Sequence, residues 1–202
     1  MISDNENNNK QTNIYLEPGN LQEALNIYDH LLLSDPENSF ILYNRGTIYL
    51  NLNRYADAID DFKAAIEITP NFFQAYNNCG LSYANLGNYK IALDNYCQSI
   101  SINPEFAEAY HNRALVYHYL CEHQKAIDNY TQALLLNPKL VDSLINRANL
   151  LSLICRYSEA LKDYNSVLEI NPASLLAYYN RGNLYSDLLE YNLAIEDYSK
   201  VL

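Results

Sequence analysis

Five asparagines stand 34 residues apart, at Asn44, Asn78, Asn112, Asn146 and Asn180. An asparagine amide carries an acceptor and donors on one short arm. That combination matches the C=O and N–H of an extended peptide backbone, so a row of such amides can grip a ligand chain whatever its side chains. Each bond contributes about 0.5–1.5 kcal/mol net. Five would hold a peptide loosely, and selectivity must then come from neighbouring side chains. The same amides can instead bond to a neighbouring helix, and their spacing leaves both roles open.

Arginines follow four of these asparagines, at Arg45, Arg113, Arg147 and Arg181, with Cys79 interrupting the column. Acids recur with them in the next segment, among them Asp60, Asp61, Asp163 and Asp197. The pattern predicts buried guanidinium–carboxylate pairs, absent from the segment that carries Cys79. The competing reading is a basic ladder for acidic ligands. His111 and His118 are seven apart, beyond the four-residue spacing that closes two helical ligands on one metal, and His123 occupies a column held elsewhere by tyrosine. No metal site is expected. Asp60–Asp61 and Glu196–Asp197 are neighbours in sequence and so point apart on a helix. With no glycine-rich phosphate loop and no nucleophile elbow, the chain reads as non-catalytic and without a cofactor.

Composition narrows the partners. The chain has 13 Lys and Arg against 24 Asp and Glu, a net charge of −11, which argues against nucleic acid because phosphate binding needs a basic stripe. No apolar run approaches the roughly 20 residues that cross a bilayer, and residues 1–13 lack the apolar core of a secretory signal. Cys79, Cys97, Cys121 and Cys155 show no CxxC spacing. They read as reduced thiols of a cytoplasmic protein.

The elements that must position these side chains derive from the same period. Pro36, Pro70, Pro104, Pro138 and Pro172 recur every 34 residues, and such self-similarity sets the fold before any local reading. Alanine recurs at Ala24, Ala58, Ala92, Ala126, Ala160 and Ala194, with an aromatic four residues on, from Tyr28 and Phe62 to Tyr198. A small residue recurs at Gly46, Gly80, Ala114, Ala148 and Gly182, leaving room for close helix approach. Apolar residues three and four apart predict first helices over 39–52, 73–86, 107–120, 141–154 and 175–188. Second helices are predicted over 55–68, 89–102, 123–136, 157–170 and 191–202, with an additional one over about 21–33. Asp35, Asn103, Asn137 and Asn171 precede prolines, where a helix must stop, and are placed to cap the next helix. The turn within each pair reads Gly19, Asn53, Gly87, Cys121, Cys155, Leu189. Gly and Asn suit a left-handed helix end. Cys and Leu do not, so those turns should differ in shape or carry strain.

These columns resemble the tetratricopeptide repeat, whose 34-residue pattern of leucine-glycine, tyrosine, alanine, aromatic, alanine and proline they match over residues 19 to 202. The resemblance implies an all-α fold, a right-handed α-solenoid of stacked antiparallel helix pairs. It comprises a half repeat at 19–38, repeats at 39–72, 73–106, 107–140 and 141–174, and a truncated repeat at 175–202. Residues 1–18 are Asn-rich and read as a flexible segment, with Ile14, Tyr15 and Leu16 able to fold back on the first apolar face. Leu193, Val201 and Leu202 would leave an uncapped apolar edge at the other end.

In this family the first helices line a concave groove, and the asparagine column looks into it. That column is similar to the asparagine ladder in the repeat superhelix of O-linked N-acetylglucosamine transferase. Inward columns add Tyr43, Asn77, His111, Asn149, Tyr179 and Asn183 to the five asparagines as peptide-binding candidates. Family members that hold a chaperone's terminal carboxylate use lysines and an arginine here. In this chain Phe40, Gln74, Glu108, Asp142 and Leu176 fill one lysine column, and Tyr43, Asn77, His111, Ile145 and Tyr179 the other, which argues against that ligand. The expectation is a module binding an extended or helical segment of a protein partner, with no nucleic acid and no membrane. Two alternatives are the substrate-recruiting arm of a larger, glycosyltransferase-like enzyme and a scaffold that self-assembles into a homo-oligomer through its C-terminal end.

Overall fold

The computed structural model describes residues 20–202, so Gly19 and the Ile14–Tyr15–Leu16 stretch lie outside it. The described residues form two compact units, one ending at Pro104 and the other spanning Glu105–Leu202. In the first, the described residues form α1 (Leu21–Ser34), α2 (Ser39–Asn51), α3 (Tyr55–Ile68), α4 (Phe73–Asn85) and α5 (Tyr89–Ile102). The second contains α6 (Ala107–Tyr119), α7 (His123–Leu136), α8 (Val141–Leu153), α9 (Tyr157–Ile170), α10 (Leu175–Asp187) and α11 (Tyr191–Tyr198). No strand occurs among the described residues. Each helix packs on its sequence neighbours within its unit, so the core is a succession of interhelical layers.

The repeated columns account for these layers. Ala58 and Phe62 are fully buried with Cys79 in one layer of the first unit, where burial pushes the Cys79 thiol up to about 11. In the second unit Ala126, Tyr130, Ala160 and Tyr164 share a cluster with Ala114, Ala148 and Leu184. The small column faces the aromatic one. A Cβ on Gly46 would lie 2.9 Å from the Phe62 ring, and one on Gly182 would lie 2.7 Å from the Tyr198 ring. The space that column provides is therefore taken by a ring edge.

Every turn within a described pair has one shape. Asn53, Gly87, Cys121, Cys155 and Leu189 all have positive φ, between 58° and 76°. The next amide reaches back to close the turn, as Arg54 N–H does to the Tyr49 carbonyl at 2.8 Å and Glu190 N–H to that of Tyr185 at 2.8 Å. This bond forces the left-handed conformation. The Cys and Leu turns thus keep the common geometry and carry strain, since a Cβ costs roughly 1–2 kcal/mol there.

Two expectations need correction. The residues before the prolines do not cap the next helix. Asn137 and Asn171 accept from the amides two residues on, Lys139 and Ala173, at 3.1 Å each, turning the chain locally. The capping positions lie three residues further along, where Asn38 accepts from Phe40 and Ile41 and Ser174 from Ala177. Phe72, Phe106 and Leu140 hold the equivalent places without a side-chain cap. Helix α11 ends at Tyr198 rather than 202. The amides of Lys200 and Val201 bond three residues back, to Asp197 and Tyr198, tightening the chain out of α geometry.

Candidate functional site

The arginine column resolves as buried pairs. Arg45 grips Asp61 through Nε and Nη2 at 2.8 and 2.7 Å, Arg147 grips Asp163 at 2.7 and 2.7 Å, and Arg181 grips Asp197 at 2.7 and 2.6 Å. These two-point contacts join the first and second helices of a pair. The remaining Nη1 reaches the preceding second helix, at Asp29, Thr131 or Asn165, so one guanidinium ties three helices. The bonds to Asp61 raise the Arg45 pKa further, while burial pushes the Asp61 carboxyl up against the pull of Arg45. Exposed Asp60 takes no part. Cys79 breaks the pattern as expected, and Arg113 meets an amide, Asn129 Oδ1 at 2.7 Å, where the others meet a carboxylate.

The asparagine column divides. On α4, Asn78 donates to the Tyr43 hydroxyl of α2 at 3.2 Å and accepts from Asn77 at 3.1 Å. On α10, Asn180 donates to Asn149 Oδ1 of α8 at 3.2 Å. Asn112 is engaged as well. Asn44 on α2 and Asn146 on α8 are half-buried and have no side-chain partner among the described residues. Two amides of the column therefore tie successive first helices together, and two keep their hydrogen-bonding capacity open.

The flanking candidates also differ in what they offer. Tyr43 packs its ring against Phe72 and Phe62 at 4.8 and 5.8 Å, and burial raises its hydroxyl pKa. Beside it Phe40 is 63% exposed, its ring 5.2 Å from Phe72. Asn77 is only 5% exposed, so it belongs to the packing and does not present a side chain on an open face. In the second unit, His111 Nδ1 sits 2.7 Å from Ser143 Oγ, with its ring 5.6 Å from Tyr130. Burial lowers its pKa, against the opposing pull of Asp142 and Glu108. Tyr179 is half exposed above Tyr198.

Asn149 and Asn183 have a role that sequence reasoning missed. Asn149 Oδ1 accepts from the buried Tyr164 hydroxyl at 2.6 Å, and Asn183 Oδ1 from Tyr198 at 2.9 Å. Leu115 stands at the corresponding place opposite Tyr130, and the Tyr130 hydroxyl is buried without a partner among the described residues. The signal was present: fifteen residues before the repeated aromatic, the repeats at 141–174 and 175–202 carry asparagine, whereas Thr47, Leu81 and Leu115 stand at that place in the repeats at 39–72, 73–106 and 107–140.

Among the described residues no group of three metal-ligating side chains gathers, and no helix is long and apolar enough to cross a membrane. The architecture is that of a helical-repeat protein built from antiparallel pairs. Sequence models described as tetratricopeptide repeat match residues 27–60, 73–106, 107–140 and 176–202, and one described as TPR repeat matches 46–87 and 156–188. The chain belongs to the tetratricopeptide-repeat family, whose members mediate protein–protein interactions.

Over 62 residues it is 37% identical to the tetratricopeptide repeat and J domain-containing co-chaperone DNJ1 of Fusarium oxysporum, covering 31% of this chain and 12% of that protein. It is 35% identical over 75 residues to the DnaJ homolog subfamily C member 7 homolog of Dictyostelium discoideum, covering 35% of this chain and 14% of that protein. The matched stretch thus spans a small part of each relative. Among solved structures, Pseudomonas aeruginosa PilF superposes with a TM-score of 0.83 at 17% identity, covering 93% of this chain and 86% of that one. A thermophilic TPR protein of Thermus thermophilus superposes with a TM-score of 0.68 at 27% identity, covering 85% and 92%.

Proposed function

We propose that the chain is a non-catalytic, cytoplasmic interaction module that holds an extended segment of a protein partner against its first helices. The observation that carries this reading is the pairing of an open amide with an exposed apolar side chain on one helix face. Asn44 lies one turn after Phe40 on α2, and the Asn44 amide is open while the Phe40 ring is exposed. An amide fixed on a helix loses little freedom when it meets a peptide backbone, and a ring beside it supplies apolar area for a ligand side chain. In the second unit, Asn146 offers a second open amide, and Leu176 and Tyr179 of α10 supply exposed apolar area. Asn78 and Asn180 act in this reading mainly by fixing the spacing of the first helices.

The co-chaperone relatives make a chaperone tail an obvious candidate ligand, but the residues here do not favour it. A terminal carboxylate needs cations, and the two columns that supply them elsewhere in the family contain no lysine in this chain. The partner segment is therefore read as an internal stretch with at least one large apolar side chain.

Selection from a random peptide display library tests this directly. Enriched peptides should carry an aromatic or leucine anchor without needing a free C-terminus. Their affinity should fall at least about tenfold, a 1.4 kcal/mol effect, in the Phe40→Ala, Asn44→Ala, Asn146→Ala triple variant. Equal binding by the variant, or enrichment only of peptides with a free acidic terminus, contradicts the reading.

A further inference from the structure

The column Tyr49, Tyr83, Tyr117, Leu151, Tyr185 holds tyrosine in every repeat but one. Where the ring is present it is covered by a cation. Arg54 and Arg45 lie 4.4 and 5.8 Å from the Tyr49 centroid, Lys63 lies 5.6 Å from Tyr83, Lys125 5.3 Å from Tyr117, and Arg181 5.7 Å from Tyr185. The repeat at 141–174 keeps Arg147 and Arg156 at the same offsets from Leu151 as Arg45 and Arg54 have from Tyr49. It retains both cations and lacks the ring.

In its place is a pocket of about 380 Å³ between α7, α8 and α9, within the range of roughly 300–1,000 Å³ typical of ligand sites. Ile127 and Leu151, both buried, supply apolar lining, and Thr131, Arg147, Arg156 and Lys162 contribute polar groups. The guanidinium edges are occupied: Arg156 holds Glu159 at 2.6 and 2.7 Å, and Arg147 holds Asp163 and Thr131. In-plane bonds of this kind leave the flat faces of a guanidinium available for stacking. Arg54 shows the arrangement complete, with its edge on Asp57 at 2.7 Å and its face over Tyr49.

We propose that this pocket is a binding site for an aromatic ring of the hydroxyphenyl class, seated on Leu151 between the faces of Arg147 and Arg156. The ring would come from outside the chain and stand where the other repeats place their own tyrosine. Thr131 and Lys162 line the pocket as polar partners for its hydroxyl.

The test is a titration of the full chain with 4-methylphenol, tracking the methyl resonances of Ile127 and Leu151, beside 4-methylcyclohexanol as a probe of similar shape without a π face. Saturable shifts are expected with the phenol and binding at least about threefold weaker with the alcohol, the scale of one exposed cation–π contact. Leu151→Tyr should fill the pocket and abolish binding, with folding confirmed by circular dichroism. Arg156→Gln, at a partly exposed position, should weaken the phenol about threefold and leave the alcohol unchanged. N-acetyltyrosinamide distinguishes the source. Tighter binding than 4-methylphenol supports a polypeptide tyrosine, and exclusion of the amide while the phenol binds supports a free small phenol. Absence of saturation, equal affinity for phenol and alcohol, or full binding by folded Leu151→Tyr overturns the proposal.

Discussion

Leu189 sits at φ 62° with its side chain 70% exposed. It pays a left-handed penalty and buries little in return. Glycine removes the Cβ conflict but loses more freedom on folding, so Leu189→Gly should stabilise the chain by about 1 kcal/mol in urea denaturation. A neutral or destabilising result would mean that the Leu189 side chain packs more than its exposure indicates. The turn column was legible as a row of left-handed ends. What could not be read was that the closing hydrogen bond overrides residue type, so that Cys and Leu adopt the same φ as Asn.

His111 yields a pH prediction. Burial lowers its pKa below the ordinary 6.5, so the folded state binds its proton less readily than the unfolded chain. Its stability contribution is then fully present above pH 6.5 and declines as pH falls through 6.5 toward the lowered folded value. Denaturation of wild type and His111→Gln should therefore diverge in pH dependence between about pH 7 and pH 5, with wild type losing more on acidification. Parallel curves would contradict the burial argument. The asparagine candidates were legible as a column, but which amides remain open depends on neighbours 15, 31 and 35 residues away, as at Asn149, Asn180 and Asn78. Periodicity alone does not report those distances.

At the scale of the element, each arginine clamp joins three helices through one side chain. Asp163 is 3% exposed and receives two bonds from Arg147. Removing only the cation leaves a buried carboxylate unpaired. Arg147→Leu should therefore cost about 3 kcal/mol or more, whereas Arg147→Leu with Asp163→Leu should recover most of that loss, because an apolar pair can replace a buried ion pair. Thermal and urea melts of the two variants decide it; equal losses would show that the pair is not the source. Helix positions were legible to within a residue at most ends, since proline and the turn column mark them from both sides. The end of α11 was not, because position 202 rests on analogy with the inner repeats, and the last residues make i−3 bonds that no composition signal announces.

At the scale of the whole molecule, both core clusters of the second unit draw only on residues 114–188, as expected where each layer is completed by its immediate neighbours. A fragment spanning residues 105–202 should fold, keeping a helical circular dichroism spectrum and a cooperative melt, although at lower stability than the full chain. A spectrum without helical bands would refute nearest-neighbour sufficiency. The period, the helix pairs and the family were all legible here, because 34-residue self-similarity is a global property of the sequence. Function was legible only as a class, since a partner's chemistry is recorded in a few exposed side chains.

The central claim is that a partner segment lies on the first helices and is held by open amides. Side-chain amide resonances of the chain, recorded while a library-selected peptide is added, test it most directly. The account predicts a shift at the open amide of the unit the peptide occupies, Asn44 or Asn146, with a smaller one at that unit's engaged amide, Asn78 or Asn180. Shifts confined to second-helix residues, with Asn44 and Asn146 unmoved, would contradict it.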